Sequence, residues 1–254
     1  MKKEIPLLLG SPKDKALFNP KDFLKHMKLD KTKADLGVIF FSKKFQKVLK
    51  KKYGVEGKYR DGENLQFNIK KIKGKRIVFA KSEIGGASSG SLLEELIGLG
   101  VKKVLFVGCA GTLLDLPIGS VMIPTKAIRD EGTSYHYLNP SKYSLPSKKQ
   151  LDLIKKICKD KNIPHKVGIT WTTDAPYRET YKKIKKYKKE GTISVEMEAS
   201  ALFAIANFRK IEIAGVLWVS DQLLTKWNPQ FHSTNFLDGA EECLKILDEW
   251  LKQN

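Results

Sequence analysis

Apolar residues in this chain recur with two different periods, and the alternation between them defines its elements. Continuous apolar runs at Leu36 to Phe41, Val104 to Val107 and Ile213 to Val219 predict strands covered on both faces. Ser120 to Ile123, stopped by Pro124, and Lys166 to Thr172 read as two more strands. Gln66 to Ile72 and Arg76 to Ala80 alternate and meet at Lys73-Gly74, the pattern of a hairpin. Helical spacing fills the stretches between. Lys43 to Lys52 puts Phe45, Val48 and Leu49 on one side of a lysine-rich helix, and Lys182 to Lys189 does the same with Ile184 and Tyr187. Ser89 to Leu99 is a helix closed by Gly100, and Ser147 to Asp160 and about Asn235 to Leu251 are two more. Another helix opens near Glu198 and runs to Phe208, burying Ala199, Leu202, Phe203, Ile205 and Ala206.

This alternation, without a long linker or repeat, predicts an α/β fold. Residues 1–254 are expected to form a single domain with a central mixed, largely parallel sheet flanked by helices. A chain of this length can bury one such core. Val104 to Val107 leads into Gly108-Cys109-Ala110-Gly111, the strand and glycine-turn order of an open α/β sheet, whose ligands sit beyond the carboxyl ends of strands.

Composition then removes several functional classes. There is no run of 18 apolar residues, so no membrane partner is expected, and Ile5 to Gly10 after Lys2 and Lys3 is too short for a signal-peptide core. Cys109, Cys158 and Cys243 are far apart, and His26, His136, His165 and His232 show no ligand spacing. Both patterns point to a reducing, cytoplasmic setting and to no metal. The formal charge of +19 is nearly all lysine spread along the chain, with only Arg60, Arg76, Arg129, Arg178 and Arg209 as arginines. Specific nucleic-acid binders cluster arginine and interleave aromatics, so no specific nucleic-acid partner is expected, while small anions are drawn to such a field.

The chemistry gathers around Val195-Glu196-Met197-Glu198-Ala199-Ser200, two carboxylates flanking a methionine where an apolar helix begins. The helix dipole favours negative charge there and leaves Glu196 and Glu198 ionised. Ionised carboxylates in a partly buried place accept hydrogen bonds from vicinal hydroxyls such as those of a ribose. From the motif alone, ordinary first-turn charges of a surface helix are an equal reading. Gly85-Gly86-Ala87-Ser88-Ser89-Gly90 offers backbone N–H groups at a helix start, which suits an anion or a plain flexible turn. Gly108-Cys109-Ala110-Gly111-Thr112 lets a flat base or a sugar approach the backbone. Ser220-Asp221, at the end of the Ile213 to Val219 strand, supplies either a proton donor or a turn cap.

In this order and spacing the segments resemble the nucleoside phosphorylase family, which includes purine nucleoside phosphorylases, uridine phosphorylases and methylthioadenosine nucleosidases. The resemblance runs through Gly10-Ser11-Pro12, Gly85 to Gly90, Val107 to Gly111, Thr172 to Tyr177, Val195 to Ser200 and Val219-Ser220-Asp221. A microbial branch carrying RDEGTSYHYL and TWTTDAPYRET, here Arg129 to Leu138 and Thr170 to Thr180, is the nearer match. It implies that Met197 and Glu198 hold the ribose, with Glu196 bordering sugar and base. It further implies that Asp221 protonates a purine-type leaving base with help from Ser220. Cys109, Ala110 and Gly111 match the loop beneath base, sugar and phosphate, and Tyr177 lies in the segment that places an aromatic ring on the base.

Gly10, Lys13, Gly86, Cys109 and Arg178 are the positions available for phosphate. Three departures stand out: Phe106 and Asp14 replace the usual phosphate-binding arginines, and Pro176 replaces an aromatic. Lys13, Arg178, Arg129 or a neighbouring subunit are the alternatives for phosphate, and the nucleosidase branch does without those arginines by using water. The implied activity is therefore N-glycosidic cleavage of a purine-type nucleoside with inorganic phosphate as co-substrate and no cofactor. A phosphate-independent nucleosidase and a non-catalytic nucleoside-binding protein are the alternatives. The resemblance also implies a homo-oligomer, a dimer or hexamer, with residues shared between neighbouring sites.

Overall fold

A computed structural model describes residues 7, 9–56, 60, 61, 64, 65 and 67–254. Gln66, the expected start of the hairpin, and residues 5, 6 and 8 of the short apolar N-terminal run lie outside them. In chain order the elements are α1 (Pro20–His26), β1 (Leu36–Phe40), α2 (Lys43–Tyr53), β2 (Arg60–Asp61), β3 (Asn64–Leu65), β4 (Asn68–Ile72), β5 (Lys75–Lys81) and α3 (Gly86–Gly98). They continue with β6 (Lys103–Thr112), β7 (Val121–Asp130), β8 (Tyr143–Ser144), α4 (Lys148–Asp160), β9 (His165–Thr173), α5 (Tyr181–Lys189) and β10 (Thr192–Glu196). The chain closes with α6 (Ala199–Arg209), β11 (Glu212–Leu223), β12 (Trp227–Pro229) and α7 (Thr234–Gln253).

Local chemistry accounts for most of these limits. Ser42 and Ser233 cap α2 and α7 by accepting from first-turn N–H groups, and Gly54 ends α2 in the left-handed region at φ +61°. The expected hairpin is β4–β5, turning through Lys73 and Gly74, both at positive φ as a tight two-residue turn needs.

The central sheet is mixed, and most of its longer pairings are parallel: β1 with β5 and β6, β6 with β11, β7 with β9, and β9 with β10. Its order is β12-β11-β7-β9-β10-β6-β1-β5-β4, with β8 on β7 and a further β11–β6 pairing. That extra pairing changes the expected open sheet. Strands β6, β11, β7, β9 and β10 form a closed ring, a small barrel from which β1, β5 and β4 extend as a flap of open sheet. Helices α3 and α6 cover one face through Leu92, Leu96, Leu202 and Phe203, while α2, α4 and α7 cover the other through Phe45, Leu49, Ile154 and Trp250.

Strand β6 is where barrel and flap divide. Its first half pairs with β1 as far as Val107, and its last residues pair with β10 at Gly111 and Thr112. Between those pairings the edge at Gly108 to Ala110 has no strand beside it among the described residues, the kind of split at which open α/β sheets bind ligands.

Three sequence expectations are corrected. Gly108 to Gly111 is strand rather than turn, because β11 pairs with it on the other side. Strand β7 does not stop at Pro124 but continues to Asp130 past a register shift between Pro124 and Lys126, an irregularity that accommodates the missing N–H. Asp221 lies inside β11, beyond a register shift at Ser220, instead of in the loop that follows.

Candidate active site

The β10–α6 turn brings Glu196 and Glu198 to the cleft as two different kinds of carboxyl. Glu196 ends β10 and is filled by the protein's own donors. Its Oε1 accepts from the hydroxyls of Thr170 (3.2 Å) and Thr172 (2.6 Å), and its Oε2 accepts from the N–H groups of Glu198 (2.8 Å) and Ala199 (2.6 Å). With all four lone-pair positions engaged, Glu196 fixes the turn and caps α6. Glu198 occupies the N-cap position itself and has room left over. One oxygen accepts from Gly85 N–H (2.7 Å) and the other from Met197 N–H (3.2 Å).

Burial pushes the Glu198 carboxyl up to about 8, with a further lift from Glu196 and a smaller one from Asp174, against the two N–H donors. The expectation that both glutamates stay ionised is therefore corrected for Glu198, because desolvation outweighs the helix dipole. Burial also raises Glu196, while its four donors pull the other way. Donors from a ribose would favour the charged form of Glu198.

Gly85 joins Glu198 to the start of α3. It sits at φ +104°, a conformation that favours glycine, and no side chain caps the helix after it. Gly86 and Gly90 serve packing: a Cβ at Gly86 would come within 3.1 Å of Ala201, and one at Gly90 within 2.8 Å of Ile205. Their absence lets the N-terminal turn of α3, with its unpaired N–H groups, lie against α6 beside Glu198.

At the other end stands Asp221. Its Oδ1 accepts from the Ser220 hydroxyl (2.6 Å) and its Oδ2 from the indole N–H of Trp227 (2.8 Å). Gly111 pairs with it in register, and a Cβ there would lie 3.1 Å from the Asp221 carboxylate and 2.4 Å from Leu223. Cys109 links the two ends. Burial, the charge of Glu198 and, more weakly, that of Asp221 push its thiol up to about 12, so one strand position feels both carboxyls. Ala110 instead belongs to the core under α3 and α6, and Met197 is half-buried at the turn.

The remaining predicted residues do not converge on this cleft. Tyr177 is 99% exposed, and Arg178 beside it is exposed as well. Gly10 and Lys13 sit on an exposed N-terminal turn whose backbone is held by Asp14, the Ser11 N–H donating to its carboxylate at 2.7 Å. Phe106 is fully buried, its ring 5.6 Å from that of Phe203 and directly over Gly215.

Arg129 is ruled out as a phosphate ligand. Its donors are engaged by Ser134 (Oγ and O), Leu138 O, Asn139 O and Ser141 Oγ, and they tie the loop after β7 together. Among the described residues no group of three or more His, Cys, Asp or Glu side chains could hold a metal ion.

The Gly85 N–H, in the loop expected to offer backbone donors, meets Glu198. Three residues near the site were not singled out from sequence. Trp227 contacts Asp221 directly. Glu131 accepts from Ser200 Oγ (2.7 Å) and Ser134 N–H (3.0 Å), bracing α6. Glu179 is half-buried, and burial, then the charge of Asp221, push its carboxyl up to about 7. RDEGTSYHYL and TWTTDAPYRET contained the two glutamates, but only the folded chain shows which acids face inward.

Two buried carboxyls beside the strand where a mixed sheet splits, Glu198 at a helix start and Asp221 in register with Gly111, make the candidate site. Residues 36–252 match the model of the phosphorylase superfamily, and the chain belongs to that family. It is 30% identical to a DeoD-type purine nucleoside phosphorylase of Exiguobacterium sibiricum over 68% of this chain and 76% of that protein. Among solved structures it resembles purine nucleoside phosphorylase from Toxoplasma gondii in complex with immucillin-H. The TM-score is 0.75 at 19% identity, covering 89% of this chain and 94% of that one. It also resembles AMP nucleosidase from Bacteroides thetaiotaomicron, with a TM-score of 0.70 at 21% identity, covering 93% and 100%. At such identities the two structures show a shared fold.

Proposed function

We propose that this chain cleaves the N-glycosidic bond of a purine-type nucleoside, with inorganic phosphate as nucleophile, free base and ribose 1-phosphate as products, and no cofactor. The observation that carries this reading is the pair of buried carboxyls, Asp221 in register with Gly111 on β6 and Glu198 at the start of α6, whose charges both act on Cys109. A nucleoside with its ribose hydroxyls on Glu198 and its base on Asp221 presents the glycosidic bond over the unpaired edge of β6. Ribose hydroxyls donating to Glu198 favour its carboxylate, which then stabilises the positive charge that grows on the sugar as the bond breaks. Asp221 gives the proton that the departing base needs.

Phosphate as nucleophile is supported by the purine nucleoside phosphorylase relative and by the uncapped N-terminus of α3 beside Glu198. Water is the second reading, and a specific observation favours it: Phe106 is packed in the core and Arg129 is engaged by its own loop. Under the phosphate reading a second copy of this chain completes the anion end, in a dimer or hexamer. Exposed Leu9, Leu17 and Phe18 on the N-terminal segment support such an assembly.

The test is incubation with inosine, adenosine, guanosine, uridine and methylthioadenosine, each with and without phosphate. Phosphate-dependent base release from a purine nucleoside, with uridine untouched, is expected. Release that ignores phosphate replaces phosphorolysis with hydrolysis, and no release from any substrate refutes the enzyme reading.

A further inference from the structure

We propose that the lysine face of α5 is a binding surface for single-stranded nucleic acid, which it holds by phosphates and a stacked base without regard to sequence. The surface lies outside the candidate active site and uses none of its acids. Six of the nine residues of α5 are lysine, and from Tyr177 to Lys189 the chain carries seven basic residues against one acid, Glu179. Lys182, Lys185, Lys186 and Lys189 fall at i, i+3, i+4 and i+7, and all four are exposed. They form one stripe about 10 Å long.

The opposite side of the helix belongs to the protein. Ile184 and Tyr187 pack in the cluster around Trp171, with the tyrosine and tryptophan rings 4.9 Å apart, and Lys183 is paired with Asp130 at 2.6 Å. Neither the four stripe lysines nor Lys188 has an ion pair with a described residue. Glu190, the acid that follows them, is taken by Lys142 at 2.8 Å. Like charges three and four residues apart destabilise a helix, so the stripe repels itself. A flexible polyanion laid along it turns that repulsion into attraction and releases its own counterions.

Charge alone would suit any polyanion, and the aromatic residues narrow the choice. Tyr181 is 77% exposed at the first position of α5, one turn before Lys185, and Tyr177 on the preceding short turn is exposed too. An exposed ring beside ammonium groups is a platform on which the bases of a single strand stack. Lysines supply point charges for phosphate but no fork for base edges, so the sequence goes unread. A membrane fits less well, because the apolar side of α5 is buried against Trp171 and none is left to enter lipid.

The full-length chain is titrated into fluorescein-labelled oligo(dT) and oligo(rU) of about 12 nucleotides and read by anisotropy between about 50 and about 200 mM salt. At least one should bind, and a preference between them names the sugar that the surface accepts. The slope of log K against log salt should be about −3, the value for four phosphates neutralised on a single strand. The fourfold variant Lys182→Gln, Lys185→Gln, Lys186→Gln and Lys189→Gln keeps helix propensity and should bind at least about tenfold more weakly at low salt, with a flatter slope. Tyr181→Ser should weaken oligonucleotide binding about tenfold and leave inorganic polyphosphate, which has no bases, within about twofold. This second variant reads the proposal even where the fourfold one loses its helical circular dichroism. Binding of neither oligonucleotide, unchanged affinity in a folded fourfold variant, or an equal effect of Tyr181→Ser on oligonucleotide and polyphosphate overturns the proposal. So does binding of phosphatidylserine vesicles in place of oligonucleotide, and each of these results leaves the nucleoside-cleaving reading untouched.

Discussion

Replacing Glu196 by alanine separates a carboxylate that builds the site from one that serves the ligand. The side chain receives four hydrogen bonds, two from the N–H groups of Glu198 and Ala199 and two from the hydroxyls of Thr170 and Thr172. The hydroxyls can re-aim, and Thr170 already lies 3.5 Å from Ser194 O. The two N–H groups cannot, and a buried donor left unmade costs about 1–3 kcal/mol. Removing a buried carboxyl returns part of that, so the net destabilisation is about 3 kcal/mol. For a chain of this size that lowers Tm by about 6–12 °C. Glutamine should largely rescue, because its carbonyl oxygen can keep both N–H groups while its amide donates to the two hydroxyls, which re-aim. Urea unfolding of the wild type and both variants, followed by circular dichroism at fixed pH, reads the effect. A Glu196→Ala loss below about 0.5 kcal/mol, within the range of ordinary surface changes, would refute the assignment of Glu196 to the turn.

Two further outcomes follow from the other acids. Asp221→Asn should cut purine release by at least about 100-fold while sparing 7-methylinosine, whose base already carries a positive charge and leaves without taking a proton, since only the proton donor is lost; unchanged inosine kinetics would remove Asp221 from the chemistry. Glu198 titrates near 8 in the folded chain against an ordinary 4.5, so the folded state holds the proton more tightly. Its contribution to stability is complete below 4.5 and is lost as pH rises to about 8, at up to about 1.4 kcal/mol per pH unit. Denaturation across that range should show the slope in the wild type and a shallower one in Glu198→Gln, and parallel curves would count against it.

Periodicity made the helices and outer strands legible because each buries one face. Ser147 to Asp160 differs from α4 only by its N-cap, and the hairpin turns at the expected pair. What stayed hidden was closure of the barrel. Gly108 and Gly111 look like turn residues, yet they are glycines because Phe41 and Leu223 press on the strand from either side. Pro124 has the chemistry of a stop, but a register shift carries β7 past it. In the site, VEMEAS was readable as a motif, whereas the division of labour between its glutamates was not. It depends on Thr170 and Thr172 from β9 and on Gly85 from the start of α3, partners that only the fold brings together.

The central claim is that Glu198 meets the ribose during bond cleavage. Turnover of inosine by Glu198→Gln, measured as hypoxanthine release beside the wild type under the same buffer, tests it most directly. The account predicts a loss of at least about 100-fold in a variant that still folds cooperatively, since a carboxylate beside a developing cation supplies several kcal/mol that glutamine cannot. Wild-type rates in a folded Glu198→Gln variant would contradict it.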